Sequence, residues 1–202
     1  PSTETAIPNR SPFPPPRPEV SRPLLAWLAV AARALALVVM AVLGWQILQR
    51  DLDFTAGGSA LRFFHGIDLV IHEAGHAFAF VLPRFFSVLG GSALQVLLPA
   101  MCALIFLHQG QLASFAVALF WTGESISDAA IYMADARAQA LPLIGGHVAV
   151  HDWNYLLGQL HLLGWTQSIA RLTLGVGILL IVISLAIVAN ETHRAWQGAA
   201  RA

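Results

Sequence analysis

Two histidines four residues apart, His72 and His76, flank a glutamate in the segment Ile71-His72-Glu73-Ala74-Gly75-His76-Ala77. On a helix this spacing sets both imidazoles on one face, a turn apart, where both can reach a single Zn²⁺ at about 2.0–2.1 Å. Glu73 is turned about 100° from His72. It is near enough to take a proton from an attacking water while leaving the ion to the histidines. Gly75 leaves room for a close neighbour. The chemistry such a group can do is metal-assisted hydrolysis at a carbonyl. In a soluble chain the same five-residue pattern is more often an ordinary surface helix, but here it lies within an apolar segment. Each buried polar group there costs up to a few kcal/mol, which a structural role does not require.

A zinc site of this type needs a third protein ligand. The fourth apolar segment carries Glu124, Asp128, Tyr132 and Asp135 at spacings of four, four and three, which makes one polar stripe. Three carboxylates cannot face hydrocarbon, so this stripe is expected to line a wet cavity, with Ile131 and its apolar neighbours turned away. If segments two, three and four alternate in direction, Glu124 and Asp128 lie about as deep in the membrane as the two histidines. His151-Asp152-Trp153 is a competing source. Asp152 is either a ligand delivered by a loop folding back or the N-cap of a short helix, and His151 is a candidate donor to an oxyanion. Asp68, one turn before His72, either orients that imidazole or is a favourable charge near a helix start. His65, His108, His147, His161 and His193 fall near expected element ends and read as interface residues.

The elements that must position these residues follow from composition. Of 202 residues, 57% are hydrophobic and 11% charged, about half the charge of an ordinary soluble domain, and mean hydropathy is +0.68. The expected fold is all-α, a polytopic membrane helix bundle of about five crossings with a short interfacial or re-entrant helix. Residues 1–23, rich in proline, read as a disordered arm that could dock a partner subunit. Residues 24–190 form the membrane domain and 191–202 a tail. Expected spans are Leu24–Leu48, Leu61–Leu82 (stopped by Pro83), Ser92–Leu107 (bent at Pro99), Gln111–Gln139 and Ile169–Ala189, with a short helix at Trp153–Leu163. Arginine placement favours a cytoplasmic N-terminus. All eleven basic residues are arginine, balanced by eleven acidic ones, and no basic tract exists to bind nucleic acid. The single Cys102 forms no intrachain disulfide and behaves as a small hydrophobe.

A short polytopic chain with His72-Glu73-Ala74-Gly75-His76 inside a span resembles the site-2 protease family of intramembrane zinc metalloproteases. The resemblance implies zinc-dependent hydrolysis of membrane-bound or membrane-proximal polypeptides, with Glu73 as general base and an Asp from a later span as third ligand. That family's Pro-Leu-Asp-Gly-Gly motif has its nearest counterpart in Pro142-Leu143-Ile144-Gly145-Gly146, where isoleucine stands at the ligand position. The segment Gly123-Glu124-Ser125-Ile126-Ser127-Asp128 is similar to the Glu-x-x-x-Asp segment of thermolysin-like enzymes. This second resemblance implies Glu124 as third ligand and Asp128 as the residue that orients His72.

Two other function classes are compatible with the same residues. One is a non-enzymatic membrane subunit holding a structural metal or a haem, although haem ligands come from opposite sides of a plane and two histidines on one helix face do not. The other is an ion or proton pathway through Asp68, Glu73, Glu124, Asp128 and Asp135.

Overall fold

The structure is a computed structural model that describes residues 21–56, 58–144 and 150–201. The proline-rich arm expected at 1–23 lies outside the described residues up to 20, as does His147. The described chain is all-helical: α1 (Arg22–Arg50), α2 (Ser59–Ala79), α3 (Arg84–His108), α4 (Leu112–Ala134), α5 (Asp152–Gln159) and α6 (Thr166–Ala199), with a 3₁₀ turn at Leu163–Trp165 before α6.

Three of these helices, α1, α3 and α6, are long and apolar enough to cross a membrane. At 21 and 23 residues α2 and α4 have the length for a crossing, but their polar faces keep them below that level of apolarity. Several boundaries differ from expectation for local reasons. Pro23 sits in the first turn of α1, where its missing N–H costs nothing, so the helix takes in the end of the arm. α3 begins eight residues before Ser92 and continues through Pro99. Gly90 and Gly91 are inside this helix. α4 stops at Ala134, and Gln139, expected as its end, lies beyond it with a positive φ of 49°. α6 runs on to Ala199 and absorbs most of the expected tail.

α4 is the central helix. From Thr122 to Ile131 nearly every residue is buried, and the small side chains Gly123, Ser125, Ser127, Ala129 and Ala130 permit this. Its most extensive partner is α6, where a Cβ added to Gly123 would lie 2.7 Å from the Gly177 carbonyl oxygen. α1 packs on α4 and α6 through Met40, Leu43, Ile47, Phe120 and Ile181. On the opposite side α2 and α3 form a tightly crossed pair. A Cβ on Gly75 would meet the Gly90 backbone carbonyl, so the room that Gly75 leaves is filled by the neighbouring helix backbone. Gly110, with φ of 70°, ends α3 in the left-handed conformation that glycine adopts without strain.

Candidate metal centre

α2 carries His72 and His76 on the face turned toward α3 and α5. Their rings stand edge to face with centroids 4.8 Å apart. The ring hydrogens can be assigned from the partners. His76 Nδ1 lies 3.0 Å from the backbone carbonyl of Ser87, which can only accept, so Nδ1 carries the hydrogen. His72 Nδ1 lies 3.1 Å from Gln95 Oε1. The amide of Gln95 is oriented by its other end, where Nε2 donates to Asp128 Oδ2 at 3.3 Å and to the Ser125 carbonyl at 3.5 Å, so His72 Nδ1 donates too. With Nδ1 so engaged, each imidazole turns Nε2 to the same side.

Facing both Nε2 atoms is Asp152. Its Oδ2 lies 2.9 Å from His72 Nε2 and 3.1 Å from His76 Nε2. The ligand atoms of His72, His76 and Asp152 lie within 4.8 Å of one another and could hold a metal ion. Nε2 of each imidazole thus faces the Asp152 carboxylate, an arrangement that a hydrogen on Nε2 or a shared cation satisfies.

Asp152 is delivered by the first residue of α5. The cap of that helix is the preceding residue: His151 Nδ1 accepts from Asn154 N at 3.3 Å, which leaves the Asp152 carboxylate free to point at α2. The capping role expected for Asp152 thus belongs to His151. α5 is pinned from two sides. Trp153 Nε1 donates to Ser92 Oγ at 3.1 Å, and Asn154 Nδ2 donates to the Ala136 carbonyl at 2.8 Å. The Arg84 guanidinium lies 4.8 Å over the Tyr155 ring.

The structure does not bring the other expected ligands to the imidazoles. Glu124 is buried within the bundle beside Asp68. Asp128 faces His65 Nδ1, at 3.0 and 3.1 Å, and the Arg50 guanidinium, at 3.7 Å; it reaches His72 only through Gln95. Asp68 accepts from Trp121 Nε1 at 3.2 Å and from Ser125 Oγ at 3.1 Å, so it does not orient His72. His151 is fully buried with Nε2 3.3 Å from Asp135 Oδ2, so it does not face the site as an oxyanion donor. Asp135 also accepts from Ala140 N and Leu141 N, which shapes the chain leaving α4.

A cavity of about 360 Å³ opens onto the centre. Its polar lining includes His65, His72, Glu73, His76, Tyr132 and Asp152, and Glu73 is exposed. Its apolar lining includes Leu69, Pro142, Leu143, Ile144 and Val150. Two expectations change here. His65 lines this cavity and is no simple interface residue. Ile131 is buried and lines it as well, while Ser127, on the other side of α4, is bonded to the Gly123 carbonyl and packed at Gly177. The polar stripe is therefore split between the cavity and the bundle interior. Gln95 was not anticipated as a site residue, and neither was Gly91, which faces both imidazoles. As a lone amide in the apolar run from Ser92 to Leu107, Gln95 carried the signal that would have found it.

No family model, curated protein or solved structure matches the chain, so the reading rests on the geometry.

Proposed function

We propose that this protein is a membrane-embedded zinc metallopeptidase, similar in plan to the site-2 proteases, that cleaves membrane-bound or membrane-proximal polypeptides. The observation that carries the reading is the convergence of Nε2 of His72, Nε2 of His76 and the Asp152 carboxylate next to Glu73, in a cavity large enough for a peptide segment. The donor set is one that zinc takes at catalytic sites, two histidines and a carboxylate with a position left open. With bonds of about 2.0–2.2 Å, tetrahedral ligand atoms stand about 3.3 Å apart, and the separations of 2.9 and 3.1 Å lie within a few tenths of that. The donated Nδ1 hydrogens of both histidines match the partner pattern that fixes metal-binding imidazoles.

His72, His76 and Asp152 would hold the ion. When bound, Zn²⁺ lowers the pKa of water toward about 7 and polarises a carbonyl. The chain's own contribution to the chemistry is proton handling. The Glu73 carboxylate accepts a proton from the attacking water and returns it to the amide nitrogen as the C–N bond breaks. Gln95 and the Ser87 carbonyl hold the imidazoles in the required tautomer. The apolar wall of Leu143, Ile144 and Val150 suits the hydrophobic side chains of a membrane segment. In the proposed topology α2 and α4 cross the bilayer with α1, α3 and α6, the N-terminus is cytoplasmic, and α5 dips back to deliver Asp152. Polar faces on α2 and α4 are tolerated in such a bundle because they face protein and a water-filled cavity. A haem has less support, since the Asp152 carboxylate occupies the space in front of both imidazoles.

The test is metal analysis of the purified full chain together with hydrolysis of reconstituted transmembrane peptides. Wild type should retain one zinc per chain and cleave. Glu73→Gln should retain the zinc and lose about 10²- to 10⁴-fold in rate. A wild type that takes up no zinc, or a Glu73→Gln variant that cleaves normally, overturns the reading.

A further inference from the structure

We infer that Tyr132 is a catalytic residue of this site, donating its phenol hydrogen to the oxyanion that forms when the scissile carbonyl is attacked. The inference rests on the peptidase reading and adds a group to it that the histidine motif does not contain.

Tyr132 projects from α4 into the cavity that Glu73 and the two histidines line. Its oxygen accepts the backbone N–H of Asp152 at 3.2 Å, which places the phenol one hydrogen bond from the residue whose carboxylate completes the triad. Its ring stands edge to face with His72 at 5.8 Å and lies against His151 at 4.3 Å, tilted by 30°. Held from both sides, the ring has little freedom to swing away. Because the oxygen accepts from Asp152, the hydroxyl hydrogen is directed elsewhere, and the cavity is the open side.

Among the described residues, the Gln95 amide hydrogens go to Asp128 and the Ser125 carbonyl. The Ser87 hydroxyl lines the cavity too, on the far side of His76 in sequence and with no tie to Asp152. His65 is seven residues before His72, about 10 Å along the helix axis. His151, the expected donor, is buried behind the Tyr132 ring. Tyr132 is the donor whose oxygen is fixed by the backbone of Asp152 itself.

In the step concerned, water oxygen bonds to the carbonyl carbon, the carbonyl π pair moves onto its oxygen, and the water's proton passes to Glu73. The Tyr132 hydroxyl hydrogen-bonds that oxygen without being transferred. Collapse re-forms the C=O bond and expels the amine nitrogen, which leaves with the proton from Glu73. A donor set in place before reaction stabilises the oxyanion more than the ground-state carbonyl, so it acts on kcat.

The experiment compares wild type with Tyr132→Phe, which keeps the ring and its packing, in three readouts: zinc content, peptide hydrolysis, and affinity for a phosphinic pseudopeptide whose tetrahedral anionic group mimics the oxyanion. The variant should keep its zinc, keep KM, lose about 10²- to 10³-fold in kcat, and bind the phosphinate about 10- to 100-fold more weakly. A variant that loses zinc instead would make Tyr132 a positioning residue for Asp152 and overturn the inference. So would a variant with unchanged kcat and phosphinate affinity. A wild type that neither cleaves peptide nor binds the phosphinate overturns the peptidase reading, and the Tyr132 role with it.

Discussion

A single methyl group on α3, far from any ligand in sequence, should empty the metal centre. A Cβ on Gly91 would lie 2.6 Å from Nε2 of His72 and 2.6 Å from Nε2 of His76. Ordinary contact begins at 3.4 Å, so both imidazoles would have to retreat by about 0.8 Å, whereas a metal site tolerates about 0.2 Å. Neither ring is free to retreat, because Nδ1 of one is tied to Gln95 and Nδ1 of the other to the Ser87 carbonyl. Gly91→Ala should therefore weaken metal binding by at least about 100-fold, beyond the loss expected from removing a supporting hydrogen bond. The fold should survive: overpacking costs about 1–3 kcal/mol, and replacing a helical glycine by alanine returns about 1 kcal/mol. The assay is competition for zinc with a chelator of known affinity, run beside circular dichroism and a melting curve in detergent. Two glycines of α2 set the limits. Gly75→Ala places its methyl on the backbone of Gly90 and Gly91, which can yield only by parting α2 from α3, and should cost more than about 3 kcal/mol. Gly66→Ala meets nothing within 4 Å and should be neutral in both readouts. A Gly91→Ala protein that binds zinc as tightly as wild type would refute the placement of the centre between α2 and α3.

Four further substitutions probe the ligand set and its support. Asp152→Ala should strip the metal as severely as His76→Ala, while Glu124→Ala should leave it bound; zinc content of the three purified variants checks this, and the opposite order would return the third ligand to α4. Gln95→Leu removes the acceptor for His72 Nδ1 and should lower zinc affinity about 10- to 100-fold with the helical content intact, as read by chelator competition.

The part of the site carried by local spacing was legible in the chain. His72, Glu73 and His76 lie within one and a half turns of one helix, and helical geometry alone places them. The carboxylate that meets the two imidazoles was not settled, because Asp152 arrives from a separate short helix and sequence spacing does not say which polar residue a returning loop will deliver. Its role was also masked by chemistry: an N-cap needs only a short acceptor, aspartate is a common one, and here the His151 imidazole takes that place. The all-helical architecture was readable from the long apolar runs, and three of them hold up as membrane-crossing lengths. The third segment was expected to begin at Ser92, eight residues after the helix start at Arg84. Gly90 and Gly91, inside that missed stretch, form a contact where backbone must approach backbone, and such a need becomes visible only when α2 lies against it.

The carboxylates on α4 that suggested a ligand have a different physical task. Asp128 faces Arg50 from the end of α1, His65 from α2 and Gln95 from α3, so one charge on the central helix is shared by three others. An ionised group buried at this depth persists only where donors and a cation surround it, and here each comes from a different element. Gln95 is held by Asp128 at one end and holds His72 at the other, so the packing of α1, α3 and α4 bears on the orientation of that imidazole. Glu124 and Asp68 lie one layer deeper, with Trp121 and Ser125 donating to Asp68. The polar stripe thus keeps the spacing of helices around the centre, while Asp152 reaches the two imidazoles from outside the stripe, on a short helix that was expected but whose carboxylate was equally readable as a cap.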